Sequence, residues 1–378
     1  MSAFGMHGPG QLTGPVVILG TGLLGASIGL GLRGRGVEVY LSDPSPTNQA
    51  VAVDIGAGLP LSALAERGHD DGAVRLVVVA SPPDVTAVVV ESALTTYPNA
   101  VVVDIASVKA GILAALAESA AATGLDLSRY VGTHPMAGRE KSGPVAARGE
   151  LFTSMPWVLC PGPEASPAAQ ETARTLALDL GAIVYEFTPV EHDEAVALVS
   201  HLPQVMSSLL ASRLQEVGEH SLSLAGNGLR DTTRIAASDP KLWVQILGAN
   251  AGPMVEILHG VRDDLNRLIN TLEDPEAPGA RLDLAQLMSE GNAGQARIPG
   301  KHGGQARSYA WLTVLVDDRP GQIAHLLTEI GEIGVNLEDM RLDHSSGQNV
   351  GMVELSVLPS RHDALVEELS KRGWKVLQ

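Results

Sequence analysis

The chain contains very little cysteine. Cys160 stands alone among 378 residues, so no disulfide can form within the chain. We therefore expect a reducing compartment, the cytoplasm. Cys160 ends the apolar run Trp157-Val158-Leu159-Cys160, which is typical of a buried strand rather than of a nucleophile. Residues 1–14 lack the basic start and apolar block of a signal peptide, so none is expected.

Basic residues are also scarce, with 26 lysines and arginines against 43 acidic residues and a formal charge of −17. Such a charge would repel nucleic acids and anionic membrane surfaces, so we expect neither as a partner. No two histidines have metal-ligand spacing and no dense acidic cluster is typical of a Mg²⁺ site, so no metal is expected. An anionic substrate would have to be captured by local cations.

Glycine is abundant instead, and three of the 41 glycines form a G-x-G-x-x-G pattern after the apolar run Val16–Leu19. The six residues of the pattern are Gly20, Thr21, Gly22, Leu23, Leu24 and Gly25. The first glycine permits a tight turn, the second lets the backbone approach a pyrophosphate, and the third lets the following helix pack on its strand. The segment predicts a dinucleotide-binding site, and the alternative is a tight turn that binds nothing.

An acidic residue, Asp43, ends the second apolar run. Its carboxylate can accept hydrogen bonds from both ribose hydroxyls of an adenosine and would repel a 2′-phosphate, so NAD is favoured over NADP as the cofactor. The alternative is that Asp43 only forms a turn with Pro44. Ser81, which directly follows a later apolar run, is assigned to the same cofactor site.

Short apolar runs alternate with helical stretches between residues 12 and 187, which is typical of an α/β fold with a parallel sheet covered on both faces. After the first two strands, we predict strands at Arg75–Ala80, Ala100–Ile105, Tyr130–Thr133, Pro156–Cys160 and Ile183–Phe187. Residues 12–187 are therefore predicted to form a Rossmann-type NAD-binding domain.

The pattern changes at Thr188-Pro189-Val190-Glu191, which has the composition of a helix capping box. Residues 188–290 are predicted to form an all-helical domain, and its excess of apolar residues indicates a homodimer interface. Residues 291–307 are predicted to be a linker, because they are rich in glycine and polar residues. Residues 308–378 have the β-α-β-β-α-β order of a ferredoxin-like domain.

Polar residues follow two neighbouring predicted strands, at the edge where an open parallel sheet binds ligands. His134 follows Tyr130–Thr133, and its side chain could take a proton from a hydroxyl group while hydride leaves the same carbon. Ser107 follows Ala100–Ile105 and could orient the imidazole or the hydroxyl. The alternatives are a hydrogen-bonded structural histidine and, for Ser107, a helix N-cap.

His201 lies on the long helix that starts near Pro189, and Pro203 is expected to kink that helix beside it. A kink next to a histidine suits the wall of a site, although a hydrogen-bonded core histidine is the alternative. His192 lies among acidic residues and is expected to be in a solvated first turn.

Arg230 and Arg234 lie four positions apart on a predicted helix, where like charges repel unless an anion lies between them. Both could bind a substrate carboxylate. The alternative is an ion-pair network that includes Asp231.

With these residues placed, the chain resembles the prephenate dehydrogenase family of tyrosine biosynthesis over essentially its whole length. The resembling segments are Gly20–Ser27, Asp104–Lys109, Gly132–Glu140, Ser200–Pro203 and Arg230–Ala236. The C-terminal residues, with Asp317–Gly321 leading into a helix and Gly334–Leu337 after it, resemble an ACT domain, which is a small amino-acid-sensing module.

The resemblance implies NAD-dependent oxidative decarboxylation of prephenate to 4-hydroxyphenylpyruvate. By resemblance, His134 accepts the hydrogen bond of the 4-hydroxyl, Ser107 assists it, Arg234 binds a carboxylate and His201 lines the pocket. Arg230 and Arg139 are assigned to substrate binding as well. Arg139 stands where many relatives carry a small hydroxyl residue, and arogenate, with an amino group in place of the keto group, is the alternative substrate.

The resemblance also implies that the C-terminal module binds tyrosine or phenylalanine near Asp317, Gly321 and Asn336. The alternative is a module that only dimerises. Two further functions stay open: a β-hydroxyacid dehydrogenase, which shares the domain order, and a non-catalytic regulator that binds NAD and an amino acid.

Overall fold

The structure, a computed structural model, describes residues 11–138, 143–299, 309–344 and 350–377. The chain forms two compact units, one ending at Leu265 and the other beginning at Asn266. The first unit contains an eight-stranded sheet in the order β3-β2-β1-β4-β5-β6-β7-β8. The strands are β1 Val16–Leu19, β2 Val39–Ser42, β3 Leu59–Pro60, β4 Leu76–Val79, β5 Val101–Asp104, β6 Tyr130–Pro135, β7 Pro156–Pro161 and β8 Ile183–Glu186.

The strands are short runs of valine, isoleucine and leucine because both faces of the sheet are buried. Val16 and Ile18 of β1 belong to the core on one face, and Val17 belongs to the core on the other. The covering helices are α1 Leu23–Arg33, α2 Pro46–Asp54, α3 Ala63–Glu66, α4 Pro83–Thr96, α5 Ala110–Thr123 and α6 Pro167–Asp179. The sheet therefore has the predicted α/β architecture.

The expectation of a parallel sheet was wrong for one strand pair, because β7 runs antiparallel to β6, with His134 opposite Val158. A parallel pair needs a crossover connection, usually a helix. Between β6 and β7, the described residues contain only the short 3₁₀ turn Pro144–Ala146. An apolar run is the same in either direction, so its composition does not reveal the strand direction.

Helices follow the sheet, as predicted. They are α7 Pro189–Val196, α8 Leu202–Ser212, α9 Glu219–Leu222, α10 Asn227–Thr233, α11 Pro240–Ala249, α12 Ala251–Glu273 and α13 Ala280–Gln295. The capping box of Thr188 and Glu191 is formed at the start of α7. α7 passes into α8 through a π-helical turn, Ala197–His201, which ends two residues before Pro203. Proline has no N–H to donate, so the kink expected there takes the form of a widened turn.

α7 contacts α5 and β7, and the helices up to Leu265 lie in the same compact unit as the sheet. One boundary differs from the prediction. α13 continues to Gln295, so the first five residues of the predicted linker 291–307 are helical. Glycine and polar residues are tolerated there because the helix is largely exposed.

The helix Pro189–Ser212 is long and apolar enough to cross a membrane, with a mean hydropathy of 1.3 over its most apolar window. Only 28% of that window is buried within the chain. A helix at an interface between two protein copies has the same length and composition, so this feature by itself identifies no membrane protein.

The second unit includes a four-stranded antiparallel sheet in the order β10-β11-β9-β12. Its elements are β9 Ala310–Asp317, α14 Gln322–Ile333, β10 Asp339–His344, β11 Val350–Val357, α15 Pro359–Lys371 and β12 Lys375–Leu377. Alternate residues such as Leu312 and Val314 pack against Leu326 and Leu365 of the two helices. This arrangement is the predicted β-α-β-β-α-β order of a ferredoxin-like domain.

Candidate active site

The glycine-rich segment connects β1 to α1 at the carboxyl end of the sheet. Gly20 has a φ angle of +105°, and a Cβ atom there would lie 2.3 Å from the carbonyl oxygen of Ala80, so only glycine fits. A Cβ on Gly25 would lie 2.0 Å from the carbonyl oxygen of Gly20, which shows how closely α1 packs on the turn. Gly22 faces open space, with no atom within 4 Å of the position that a Cβ would occupy.

The N-terminus of α1 is open to an anion. It has no side-chain cap at Gly22, so its first backbone N–H groups are available. Leu23 and Leu24 form the first turn of this helix. The free N–H groups and the open space at Gly22 together fit the pyrophosphate of a dinucleotide.

Asp43 follows β2 and is tied to the glycine-rich segment. Its Oδ2 accepts hydrogen bonds from the backbone N–H of Thr21 at 2.6 Å and from the Thr21 hydroxyl at 2.9 Å. Its Oδ1 accepts one from the backbone N–H of Ser45 at 2.8 Å, so Asp43 also stabilises a turn. A lone pair on Oδ1 remains for a ribose hydroxyl. Ser81 follows β4, which neighbours β1, and its hydroxyl lies 3.0 Å from that of Thr86.

His134 lies within β6 rather than in the loop that follows it. Its Nδ1 is 2.9 Å from Nε2 of His192, and Nδ1 of His192 is 2.8 Å from Oδ1 of Asp193. His192 and Asp193 are only 1% and 4% exposed. The expectation of a solvated His192 was therefore wrong, because the first turn of α7 packs on α5 and β7.

The hydrogen bonds of this cluster fix which nitrogen atoms carry protons. The Asp193 carboxylate can only accept, and it does so from His192 Nδ1–H and from the backbone N–H groups of Lys109 and Ala110, both at 2.8 Å. His192 Nε2 is then the acceptor for His134 Nδ1–H. Consequently His134 Nε2 carries a lone pair, and that atom has no hydrogen-bond partner among the residues that the structure describes.

The His134 ring is also kept neutral. Burial lowers the pKa of His134 well below its usual range, and the nearby Lys109 ammonium lowers it further. A neutral imidazole with an unshared pair on Nε2 can accept a proton from a hydroxyl group. The arrangement therefore supports the base role over the purely structural one.

Ser107 is half-buried in the loop between β5 and α5. α5 begins at Ala110, and its first N–H groups are capped by the Asp193 carboxylate, so the alternative role of Ser107 as the helix N-cap was wrong. The loop follows β5, which neighbours β6, so Ser107 and His134 lie at the same edge of the sheet.

A buried ion pair holds the loop of Ser107. Lys109 Nζ contacts Oδ1 of Asp104, and Oδ2 of Asp104 accepts a hydrogen bond from the Tyr130 hydroxyl at 2.7 Å. The side chains of Lys109 and Asp104 are 1% and 0% exposed. Removing one partner of such a pair leaves a buried charge uncompensated, at a cost of about 3–5 kcal/mol. The loop is therefore fixed on both sides of Ser107.

His201 is buried in the π-helical turn and packs edge-to-face on Trp243, with ring centroids 5.9 Å apart. Its Nδ1 lies 3.2 Å from Nδ2 of Asn250, which also donates to the backbone carbonyl of Asp193 at 2.8 Å. Burial lowers the pKa of His201 to about 4, so the ring is neutral at pH 7. Asp193 thus connects both histidines of the site. Asn250 and Trp243 belong to no motif, and the sequence analysis missed them.

Two family models match the chain. Residues 28–186 match "Prephenate dehydrogenase, nucleotide-binding domain", and residues 188–290 match "Prephenate dehydrogenase, dimerization domain". The chain belongs to the prephenate dehydrogenase family. It is an NAD-dependent oxidoreductase, and the predicted Rossmann-type domain, helical dimerisation domain and cofactor are confirmed.

Several similar proteins align with most of this chain. A probable prephenate dehydrogenase of Streptomyces niveus is 36% identical over 95% of this chain and 98% of its own length. The structure of prephenate dehydrogenase from A. aeolicus in complex with hydroxyphenyl propionate and NAD+ is 25% identical with a TM-score of 0.65, over 79% of this chain and 100% of that one. A Synechocystis arogenate dehydrogenase is 27% identical with a TM-score of 0.59, over 74% and 99%.

The arginines predicted to bind substrate in this prephenate dehydrogenase family member are exposed. Arg230 lies on α10, and Arg234 directly follows that helix. Within the part of the chain that the structure describes, the Arg230 guanidinium forms no ion pair with Asp231, so that alternative was wrong for this residue. Arg139 lies outside the described residues.

The C-terminal unit of this family member has a small cavity beside the predicted effector residues. Asp317 ends β9, and Gly321, with a φ angle of +90°, is the N-cap of α14. Asn336 lies apart from the cavity and donates to Glu338 at 3.2 Å. The cavity has a volume of about 260 Å³ and is lined by Leu315, Asp317, Gln322, Gly373, Trp374 and Lys375. The matched family ranges end at residue 290, so the ACT assignment stays a prediction.

Proposed function

We propose that the substrate of this family member is prephenate, which it converts to 4-hydroxyphenylpyruvate by oxidative decarboxylation. The observation that carries the proposal is the unshared pair on His134 Nε2, which His192 and Asp193 set in place. Two relatives support the choice of substrate: the probable prephenate dehydrogenase of Streptomyces niveus and the A. aeolicus enzyme, whose structure holds hydroxyphenyl propionate and NAD+.

In this mechanism His134 takes one proton from the substrate hydroxyl and later returns it. Nε2 takes the proton of the 4-hydroxyl as the hydrogen on C4 leaves as hydride. Bound NAD accepts that hydride. When CO₂ leaves, its bonding electrons enter the ring and make it aromatic, and His134 returns the proton to the phenol oxygen. Atoms and charges therefore balance with no further reagent.

The groups behind His134 stabilise the charge that it gains. Once protonated, the ring keeps Nδ1–H bonded to His192, which is bonded to the buried Asp193 carboxylate. A nearby carboxylate favours the charged form of an imidazole. We assign His192 and Asp193 to positioning and charge stabilisation, and we assign Ser107 to a hydrogen bond with the 4-hydroxyl, from the same edge of the sheet.

The two carboxylates of prephenate need cations, and the chain has a formal charge of −17. Arg234 and Arg230, which are exposed on and after α10, are the groups that we assign to them, because an arginine can hold a carboxylate with two hydrogen bonds. Arg139 and His201 complete the proposed substrate contacts.

The test is production of NADH by the full chain, followed by the absorbance of the reduced nicotinamide. Prephenate and arogenate are supplied in parallel, since a Synechocystis arogenate dehydrogenase is among the similar structures. We expect NADH and 4-hydroxyphenylpyruvate from prephenate. Turnover of arogenate alone would replace prephenate by arogenate as the substrate. No NADH from either one would leave the non-catalytic regulator as the function.

We further propose a homodimer formed by the helical region. The matched description names a dimerisation domain, and the helices of residues 188–265 expose large apolar side chains. Leu198 and Leu209 are both 55% exposed, and Val244 is 72% exposed. A second copy would cover them. The single buried Cys160, whose pKa burial raises to about 12, suits the reducing cytoplasm that we propose as its location.

An aromatic amino acid is proposed as the effector of the C-terminal unit. The residues that line the cavity there include an acid, Asp317, a base, Lys375, and an aromatic residue, Trp374. These groups match the ammonium, carboxylate and ring of tyrosine or phenylalanine. Isothermal titration with each amino acid tests the assignment, and Lys375→Ala should abolish binding. Binding that survives this change would remove the cavity from the proposal.

A further inference from the structure

The carboxylate of Asp43 is held by three hydrogen-bond donors from two separate segments. Its Oδ2 accepts from the backbone N–H of Thr21 at 2.6 Å and from the Thr21 hydroxyl at 2.9 Å. Its Oδ1 accepts from the backbone N–H of Ser45 at 2.8 Å. The backbone N–H of Asp43 donates in turn to Oε1 of Gln49 at 3.1 Å. The side chain is therefore fixed through its carboxylate and through its backbone.

These donors converge on an anionic group, and Thr21 is fully buried. Converging N–H and O–H groups form the kind of concavity in which proteins bind anions, including phosphate. Hydrogen bonds to a charged acceptor are also stronger than those between neutral groups, whether the acceptor is a carboxylate or a phosphate. The donors of Thr21 and Ser45 thus form an anion site, and a side chain of the same chain occupies it.

The anion site lies where a dinucleotide-binding fold distinguishes between its cofactors. The acidic residue after the second strand of such a fold meets the ribose 2′-hydroxyl of NAD, which carries a phosphate in NADP. Asp43 is in that position, because it directly follows β2 and bonds to the glycine-rich segment. One lone pair on Oδ1 is enough for a hydroxyl group. A 2′-phosphate would meet a carboxylate that already uses the available donors.

We propose that Thr21 and the backbone of Ser45 form a latent site for a phosphate monoester, the 2′-phosphate of NADP, and that the Asp43 carboxylate fills this site. The chain then selects NAD through two effects. The charge of Asp43 repels the phosphate, and its oxygens occupy the donors that would otherwise bind it. The inference concerns the cofactor and is independent of which substrate is oxidised.

Asp43→Ala and Asp43→Asn separate these two effects. Both changes remove the charge, but alanine empties the site, whereas asparagine has nearly the volume of aspartate and still fills it. Isothermal titration compares adenosine 2′,5′-bisphosphate with 5′-AMP, which lacks only the 2′-phosphate. We expect the ratio of the two affinities to favour the bisphosphate about ten-fold more in Asp43→Ala than in Asp43→Asn, because a hydrogen bond to a charged group contributes that much or more.

The gain in Asp43→Ala should depend on the Thr21 hydroxyl. Adding Thr21→Val removes one donor with little change in volume and should lower the bisphosphate affinity about ten-fold. Adding Thr21→Ser instead keeps the hydroxyl and should keep the gain. The matched control is Thr175→Val, since the Thr175 hydroxyl donates to the backbone carbonyl of Glu171 at 2.8 Å within α6. This control should leave the gain as it is.

Three results would overturn the latent site. One is an Asp43→Asn protein that binds the bisphosphate as well as Asp43→Ala, because repulsion alone would then exclude the phosphate. The others are a gain that survives Thr21→Val and a bisphosphate affinity that Asp43→Ala does not raise. If Asp43→Ala fails to fold, Asp43→Ser replaces it, because a serine hydroxyl can bond to the Ser45 N–H and still leaves room. No substrate is present in these titrations, so their failure would leave the proposed oxidation of prephenate intact.

Discussion

The two ends of the candidate site are built in different ways. At one end, His134 is held by His192 and Asp193, which are almost fully buried in the unit that contains the large sheet. At the other end, Arg230 and Arg234 are exposed on and after α10. The contrast indicates that a single chain preorganises the end that handles the proton, whereas the end that binds carboxylates lies on an open surface.

The apolar residues around the two ends differ in the same way. All residues of β4 are buried, whereas Leu209 of α8 and Val244 of α11 are 55% and 72% exposed. Burying one such side chain stabilises a protein by about 1.5–3 kcal/mol. We therefore expect the proposed dimer to complete the arginine end and to matter little at the histidine end.

The sharpest test of the histidine end is His134→Ala. Without the base, kcat should fall about 10²–10⁴-fold, because that is the usual contribution of general base catalysis. The affinity for NAD, measured by titration of the nucleotide, should stay near the wild-type value. His69→Ala is the control, since His69 pairs with Glu38 away from the site. An unchanged kcat in His134→Ala would remove this residue from the mechanism.

His192→Ala tests whether the buried partner positions the base. The Nδ1–H of His134 would lose its acceptor, at a cost of about 1–3 kcal/mol, so kcat should fall about ten- to a hundred-fold. The pH profile adds a readout that a purely structural role would not move. Burial lowers the pKa of His134, so wild-type kcat/KM should persist below pH ~6.5.

His192→Ala should also shift the pKa of His134. Removing His192 opens space for water beside His134, and because burial is the largest cause of the lowered pKa, this hydration raises the pKa of His134. His134 must be neutral to accept a proton, so the acid limb of the kcat/KM profile should move to higher pH in His192→Ala. A lower kcat with an unmoved acid limb would show that His192 only supports the fold.

The sequence predicts the cofactor end of the molecule well because its signals are local. Gly20, Gly22 and Gly25 form a recognisable pattern within six residues of chain, and the apolar runs form strands wherever both faces are buried. The antiparallel direction of β7 was not predictable in this way. It depends on how the chain returns to the sheet, which the composition of Pro156–Pro161 does not encode.

The hydrogen-bond partners of the catalytic groups could not be predicted from the sequence. His134 meets His192 across 58 positions of chain, and Asn250 meets Asp193 across 57. The acidic neighbours of His192 suggested a solvated turn, because nothing local shows that this side of α7 packs on α5. A side chain that reaches the site, such as His134, can be predicted from its position at the end of a strand. The residues that hydrogen-bond to it, such as His192, can be identified only from the tertiary structure.

Arg234→Ala tests the exposed end. Loss of one charged contact to a carboxylate on an exposed surface should raise the KM for the substrate about ten-fold and leave kcat nearly unchanged. Steady-state rates at saturating NAD measure both values. Arg262→Ala removes another exposed arginine of the helical region and should change neither. A fall in kcat without a rise in KM would place Arg234 at the histidine end and break the contrast between the two.

Leu209→Asp tests whether a second copy completes the arginine end, and we expect the smallest kinetic effect from it. A charge in the apolar surface of α8 should convert the dimer to monomer at micromolar concentrations in sedimentation analysis. Leu178→Asp is the matched control, because Leu178 is 52% exposed but lies on α6, a helix of the domain with the large sheet. If the arginine end depends on the dimer, KM should rise a few-fold in Leu209→Asp while kcat is retained. A monomer with an unchanged KM would mean that one chain forms both ends of the site, and the exposed arginines would then need no partner to bind the substrate.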